Sequence, residues 1–260
     1  TDTIVITNSA AAAYNGPAIT NIENVNYRGS IAGADLDFDE IAGATSVTLT
    51  GTVGATDFSD VLTTQALTIK DSAADLATII TYKASTVTSA TDSATITMDG
   101  AGTNAETVTL VSAVETINVN ATGDATRLQT LALDAATTAL NIDAAVAFRV
   151  DNTFTATGTT TVTTTGAGAT RLDQTPGAIT TYNAADATGA QTITFNNATN
   201  VTATGGSAND TFSFAATLSR ADTIDGGAGT DTVTVTPTAN ISGDLNISNV
   251  ETIRIGDVAA

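Results

Sequence analysis

The sequence predicts an all-β protein, a right-handed parallel β-solenoid or β-roll with short, irregular coils and one short helix. Most of the chain consists of segments of about three to five residues that alternate apolar and polar side chains, separated by polar turns. Threonine and valine favour strands while asparagine, aspartate and glycine favour turns, and these residues dominate the composition. Aromatic residues make up only 4% of the chain, which suits a narrow solenoid core better than a sandwich.

The alternating segments place apolar residues on one face and threonine or asparagine on the other. Such short strands suit a solenoid in which each coil adds one rung to two or three parallel sheets. The predicted rungs are Ser46–Thr50, Ala66–Lys70, Ala94–Met98, Thr107–Val111, Thr116–Asn120, Ala139–Asp143, Thr159–Thr163, Gln191–Phe195 and Asn200–Thr204.

Asp71–Tyr82 breaks this pattern and predicts a short helix packed on the solenoid. Ser72 and Asp75 match a helix-capping box, and Leu76, Ile79 and Ile80 share one helical face. Asp124–Ala136 is compatible with either a helix or a rung.

Gly226–Val233 matches the nonapeptide G-G-x-G-x-D-x-U-x, in which U is a large apolar residue. This repeat builds calcium-binding parallel β-rolls. The glycines allow tight turns that other residues avoid, so their carbonyls can act as oxygen ligands beside the Asp231 carboxylate. Asp210 or Asp222 would contribute from an adjacent coil. A lone Gly/Asp turn is the simpler interpretation, but a second copy favours calcium.

That second copy is Gly205–Phe212, which has Ala208 at the third glycine position. Asp222 precedes Asp231 by one nonapeptide without the glycines, and Asp99–Asn104 is a weaker echo. We therefore expect one or two Ca²⁺ sites rather than a full row. The expected ligand residues are Asp99, Asn104, Gly205, Gly206, Ala208, Asp210, Asp222, Asp225, Gly226, Gly227, Gly229 and Asp231.

The charge and the missing residue types exclude several function classes. With 27 acidic and 8 basic residues the net charge is −19, which argues against nucleic acid because a basic face must neutralise phosphate. The chain has no Cys and no His, so disulfides, thiolate catalysis and the commonest general base are absent. No apolar run is long enough for a membrane-spanning helix. We expect no enzyme activity and no membrane insertion.

Two acidic groups remain as candidate sites. Asp35, Asp37 and Asp39 would share one face of a strand, next to Glu40. So much like charge indicates a calcium site or a solvated edge rather than a catalytic acid/base pair. Asp57 and Asp60 form a weaker candidate of the same kind.

A longer repeat surrounds three glutamates. Glu23, Glu115 and Glu251 each lie in a template of apolar, Glu, Asn or Thr, apolar, polar, apolar. Glu23 lies 21 residues after Asp2, and Glu251 lies 20 residues after Asp231, so the nonapeptide tail and this template recur together at both ends of the chain. We interpret these glutamates as carboxylates that satisfy backbone N–H groups at a coil corner, in preference to a catalytic role.

Taken together, the nonapeptides, the Glu template and the Thr/Ala/Asn-rich stretches resemble the RTX-type surface-layer proteins of Gram-negative bacteria. The resemblance implies a calcium-dependent protein, secreted by a type I system, that self-assembles into a crystalline coat at the cell surface. Its implied partners are calcium and other copies of the same protein, with cell-surface polysaccharide as a candidate. The chain opens in the middle of a motif, so we expect a fragment of a longer protein.

The sequence predicts two parts, a solenoid body at 1–204 and calcium-binding coils with the start of a next module at 205–260. Two other functions stay open. A large RTX adhesin module would bind glycans or surfaces, and a carbohydrate-active solenoid would need a groove with carboxylates, basic residues and aromatics. The scarcity of aromatic residues makes the last the weakest.

Overall fold

The computed structural model describes residues 1–9, 14, 18–29, 35–41, 43–50, 56–70, 77–101, 106–111, 113–196, 199–237 and 243–256. Within them the strands are β1 Thr3–Asn8, β2 Asn24–Gly29, β3 Leu36–Asp37, β4 Ser46–Thr50, β5 Thr56–Val61, β6 Ala66–Lys70, β7 Ala77–Tyr82, β8 Ser93–Asp99, β9 Glu106–Val111, β10 Thr116–Thr122, β11 Thr126–Ala132 and β12 Ala139–Ala144. They continue with β13 Phe148–Thr155, β14 Thr161–Thr165, β15 Thr170–Thr175, β16 Thr181–Asn183, β17 Gln191–Phe195, β18 Thr202–Thr204, β19 Thr211–Phe214, β20 Thr223–Asp225, β21 Thr232–Val235, β22 Asn246–Ser248 and β23 Thr252–Ile255. Two short 3-10 turns occupy Phe38–Ile41 and Ala84–Thr86.

These strands form two parallel sheets wound into a β-solenoid of about ten turns, which confirms the predicted fold. Sheet A has the order β1-β2-β4-β6-β8-β10-β12-β14-β16-β18-β20-β22, and sheet B runs from β3 to β23 through the odd-numbered strands. From β2 onwards each coil therefore adds one strand to each sheet.

The core lies between the two sheets, because every second side chain of a strand points inward. All seven phenylalanines are buried, together with Tyr27, Tyr82 and Tyr182. Tyr182, Phe195, Phe212 and Phe214 form one aromatic cluster across neighbouring coils, in which Tyr182 meets Phe195 and Phe212 edge to face and Phe195 stacks on Phe214 with ring centroids 4.9 Å apart. Most threonine and asparagine side chains of the strands point outward, as the sequence predicts, although some threonines such as Thr78, Thr126 and Thr164 are buried.

The predicted rungs are confirmed, and several coincide with a strand from end to end, as in Ser46–Thr50, Ala66–Lys70 and Gln191–Phe195. Asp124–Ala136 contains β11, so this segment is a rung.

The predicted helix is wrong for residues 77–82, which form β7, while residues 71–76 lie outside the described part. In β7 the side chains of Thr78, Ile80 and Tyr82 are buried while Ala77, Ile79 and Thr81 are more open. This period of two fits the register with β5 and β9, and it overrides the helical spacing of Ile79 and Ile80.

The turns of the solenoid lie along two opposite edges. The A-to-B edge carries the turns that lead from a sheet A strand to a sheet B strand, such as residues 205–210 and 226–231. The B-to-A edge carries the returning turns, such as residues 215–222. The boundary predicted between 204 and 205 falls in a turn of the A-to-B edge, and both sheets continue across it.

Candidate functional site

The two nonapeptide turns lie directly above one another on the A-to-B edge. Ala228 donates its N–H to the carbonyl of Gly206 at 2.9 Å. Thr230 donates its N–H to Oδ1 of Asn209 at 2.8 Å. The two copies found in the sequence are thus successive coils of one stack, and the Gly206 carbonyl already accepts a hydrogen bond within it.

Close approach of the coils explains why glycine is needed here. A methyl group on Gly226 would overlap the carbonyl oxygen of Asn249 in the next coil. Gly227 has a φ of +89° and lies against the Gly206 carbonyl, a combination that side chains disfavour.

Neighbouring coils are joined by a recurring arrangement that we name the carboxylate clamp. In each clamp, a residue that directly precedes a strand donates its backbone N–H to a side-chain carboxylate in the next coil, and that acidic residue precedes the paired strand. The carbonyl of the first residue accepts the backbone N–H of the residue that follows the acidic one. The N–H to carboxylate distances are 2.7 Å for Asp2–Glu23, 2.9 Å for Asp92–Glu115, 2.7 Å for Val201–Asp222, 2.7 Å for Asp210–Asp231 and 2.6 Å for Asp231–Glu251.

The clamps confirm that Glu23, Glu115 and Glu251 satisfy backbone N–H groups at coil corners. In all three clamps, the residue after the glutamate donates its backbone N–H at 3.0 Å to the carbonyl of the aspartate one coil earlier. The sequence analysis did not identify the pairing of Asp92 with Glu115. An aspartate about one coil before each of the three glutamates is the sequence signal that indicates this pairing.

Asp231 occupies a special position because it belongs to two clamps. Its Oδ1 accepts the N–H of Asp210, and its own N–H donates to Oε2 of Glu251. The side chain is fully buried, yet Oδ2 has no hydrogen-bond partner. A buried polar atom without a partner costs free energy, so this oxygen fits a ligand that supplies positive charge.

Nearby carboxylates add to the demand for a cation at Asp231. Burial raises the pKa of Asp231, and the charges of Glu251 and Asp225 raise it further. Asp225 Oδ1 accepts the N–H of Gly227 at 3.1 Å and the side-chain N–H of Asn249 at 2.7 Å. Asp225 and Glu251 thus add negative charge to the surroundings of Asp231, although the carboxylate oxygens of these three residues do not all lie within 4.8 Å of one another.

Asp210 and Asp222 are placed differently. Asp210 is also buried, but its Oδ1 accepts the N–H of Gln191 and its Oδ2 that of Gly206, both at 2.7 Å. Asp222 lies on the B-to-A edge, where it accepts the N–H groups of Val201 at 2.7 Å and Ser219 at 2.6 Å. Asp222 therefore cannot join Asp231, which lies on the opposite A-to-B edge, directly before β21.

The described part of the weak echo, Asp99 at the end of β8 with Gly100 and Ala101 after it, lies on the A-to-B edge like the two nonapeptides. Asp99 pairs with Lys70 and accepts the N–H of Asp124 at 3.1 Å. The hydrogen bond from Lys70 lowers the pKa of Asp99. Asn104 lies outside the described residues. The Asp99 carboxylate is thus already neutralised by a lysine.

Residues from both acidic groups of the sequence meet in one cluster. Carboxylate oxygens of Asp37, Asp39 and Asp60 lie within 4.8 Å of one another, the one such group of three in the described part of the chain. Lys83 pairs with Asp39, and this hydrogen bond raises the pKa of Lys83. The prediction that Asp35, Asp37 and Asp39 share one face of a strand is wrong, because the strand ends at Asp37 and Phe38–Ile41 is a 3-10 turn.

Comparison with known proteins identifies no relative, since no family model, curated protein or solved structure matches this chain. Among the described residues no helix has the length and apolar character needed to cross a membrane.

Proposed function

We propose that this chain is a structural module of a secreted, calcium-dependent surface-layer protein that assembles into a coat on a bacterial cell. The observation that carries the proposal is Asp231, a fully buried carboxylate with an unpartnered Oδ2 at the contact between two coils. A calcium ion would supply positive charge to hard oxygen ligands at this contact.

The chain's own residues divide the work at this edge. Gly226 and Gly227 let the coils approach closely. Asp231 holds the preceding coil through the N–H of Asp210, and Glu251 holds Asp231 in turn. Binding a cation to the folded state alone stabilises that state by mass action, so calcium would control whether this end of the solenoid is rigid.

The surface supports a scaffold rather than an enzyme. A solenoid whose coils contact mainly their neighbours holds its shape over a long distance. Outward positions of sheet A are mostly threonine and asparagine, side chains that are poor acids, bases and nucleophiles without an activating partner. Each clamp carboxylate accepts at least one backbone N–H group.

The Asp37, Asp39 and Asp60 cluster is a second candidate cation site. Asp39 is exposed, Asp37 and Asp60 are partly buried, and Lys83 balances part of their charge, so the cluster's need for an external cation is smaller than that of the buried Asp231. We expect weaker calcium binding there, with Lys83 displaced from Asp39 when the ion enters.

The adhesin alternative has one observation in its favour. A shallow groove of about 360 Å³ crosses the outer face of sheet A, and it is lined by Thr95, Asn118, Asn120, Asn141, Ile142, Asp143, Thr163 and Thr165. Hydroxyl and amide groups can hydrogen-bond to a glycan. No aromatic side chain lines the groove, which weakens the case for sugar binding.

Assembly of the full-length protein tests the proposal. Electron microscopy in excess calcium should show ordered sheets that dissolve on chelation. Asp231→Asn should raise the calcium concentration required, while Asp244→Asn, an exposed aspartate in the same region, should not. A full-length protein that stays monomeric in excess calcium contradicts the coat, and glycan binding abolished by chelation would favour the adhesin.

A further inference from the structure

The backbone carbonyl of Asn249 lies beside the unpartnered oxygen of Asp231. Both oxygens approach the same side of Gly226, because a methyl group on this glycine would lie 1.9 Å from the Asn249 carbonyl oxygen and 2.7 Å from Oδ2 of Asp231. Since Oδ2 has no hydrogen-bond donor, no hydrogen atom separates the two oxygens. Two acceptors that face each other in this way repel one another unless a positive charge lies between them.

The turn at residues 205–210 contains the same contact in a satisfied form. A methyl group on Gly205 would lie 2.1 Å from the carbonyl oxygen of Gly226 and 2.5 Å from Oδ2 of Asp210. There, however, Gly206 donates its N–H to that Oδ2 at 2.7 Å. The same pair of oxygens therefore has a donor in one coil and lacks one in the next, where a cation can take its place.

The backbone of Asn249 is held in an uncommon conformation at this contact. Its φ is +49°, in the left-handed region that asparagine tolerates better than most residues with a side chain. Its side-chain amide donates to Oδ1 of Asp225 at 2.7 Å. The carbonyl before it, that of Ser248, accepts the N–H of Gly226 at 3.0 Å. These two contacts hold Asn249 against the coil that contains Gly226.

We propose that the backbone carbonyl of Asn249 is a further ligand of the calcium ion at Asp231, and that the Asn249 side chain positions this carbonyl through Asp225. Calcium binds backbone carbonyl and carboxylate oxygens at about 2.3–2.6 Å. The ion would then join the coil of β20 and β21 directly to the coil of β22 and β23. This inference rests on the proposed function, because it adds a ligand from the following coil to that site.

Asn21, which precedes β2 of sheet A, provides a matched control. It also has a left-handed backbone, with a φ of +59°, and it lies two residues before Glu23 as Asn249 lies two before Glu251. The aspartate that is clamped to Glu23 is exposed rather than buried, so it has no comparable need for an ion. Alanine at either asparagine strains a left-handed backbone, but only at Asn249 does it disturb the proposed ligand.

Calorimetric titration of the chain with calcium chloride tests the ligand. Asn249→Ala should weaken calcium binding about tenfold or more, the equivalent of about 1.4 kcal/mol, because alanine disfavours the left-handed backbone. Asn249→Gly keeps that backbone accessible but loses the amide, so its affinity should lie between those of the wild type and Asn249→Ala. Asn21→Ala should bind calcium as the wild type does.

Carbon-13 NMR of the wild-type backbone gives a second measurement, which does not depend on the folding of a variant. Saturating calcium should shift the carbonyl resonance of Asn249, because a cation polarises the carbonyl that binds it. The carbonyl resonance of Asn21 should not move. A merely structural role of Asn249 in the turn would change stability without producing this shift.

Two results would overturn the inference and leave the proposed function intact. One is calcium binding by Asn249→Ala that equals that of the wild type. The other is calcium binding by the wild type with no movement of the Asn249 carbonyl resonance, which would give Asn249 a structural role alone. A wild type that binds no calcium at all would contradict both the added ligand and the calcium dependence in the proposed function.

Discussion

Two successive turns of the same edge, residues 205–210 and 226–231, carry the same motif but leave their aspartates in different states. Both Asp210 and Asp231 are buried and both join a coil to the one before it. Asp210 has N–H donors on both oxygens, whereas Oδ2 of Asp231 has none. One coil is complete by itself and the other needs a ligand.

The difference arises from the residue at the end of the preceding strand. Thr204 of β18 is in register with Asp225 of β20. In the turn at residues 205–210, Gly206 donates its N–H to Asp210. In the turn at residues 226–231, the equivalent N–H, that of Gly227, is donated to Asp225 instead. A single Thr-to-Asp difference thus removes a donor from Asp231 and adds a negative charge beside it.

The largest effect is expected from Asp231→Ala, because it removes the carboxylate of the Asp210–Asp231 clamp and leaves the buried N–H of Asp210 without a partner. Loss of a hydrogen bond to a charged group should cost about 1.5–3 kcal/mol. Hydrogen exchange should show lower protection in residues 205–255 and little change in 45–120, because solenoid coils contact mainly their neighbours. Uniform loss along the chain would contradict this locality, and Asp244→Ala is the matched control.

Gly226→Ala should have the next largest effect, because its methyl group would overlap the Asn249 carbonyl. Overpacking of this kind costs about 1–3 kcal/mol, and the thermal midpoint should fall accordingly. Gly256→Ala, whose methyl group meets only the side chain of Thr236, serves as control. Equal stability of the two variants would show that the coils can separate freely.

Asp225→Thr should give the turn at residues 226–231 the hydrogen bonding of the turn at residues 205–210. The N–H of Gly227 would then be available to Oδ2 of Asp231, and one neighbouring charge would be gone. We expect the calcium response of residues 226–251 to fall sharply while stability in chelator is kept or raised. A variant that binds calcium as well as the wild type would show that Asp225 has no part in the site.

The smallest effect concerns pH. Burial raises the pKa values of Asp210 and Asp231, so in the fold these groups favour the protonated state more than in the unfolded chain. Their ionisation weakens the fold as pH rises through the raised pKa, and this cost disappears at lower pH. In chelator, protection of residues 205–251 should increase on mild acidification, after correction for intrinsic exchange rates. Calcium or Asp231→Asn should flatten that slope.

Local patterns predicted the fold well because alternation along a strand decides which side chains meet the core. Ser46–Thr50 and Gln191–Phe195 show the rule. Ile79 and Ile80 fit a helix and a strand equally by spacing, and only pairing with β5 and β9 decided between them. Information of that kind comes from other coils.

The site was harder to predict than the fold for the same reason. The motif identified Asp231 and its glycines, but Lys83 meets Asp39 from 44 positions away, and no local pattern contains that pair. The clamps were readable in principle, because their two residues are separated by about one coil, as in Asp2 and Glu23 at 21 positions and Asp92 and Glu115 at 23 positions. That period is visible once the coil length is known.

Hydrogen exchange of the wild type with and without calcium tests the central claim most directly. Excess calcium should raise the protection of β19, β20, β21 and β23 and leave that of β11 to β15 unchanged. At a hundredfold excess over the dissociation constant the gain should be about 2.7 kcal/mol. If protection of residues 205–255 is indifferent both to calcium and to Asp231→Ala, then Asp231 is not the centre of a calcium site and calcium does not control the rigidity of this end of the solenoid.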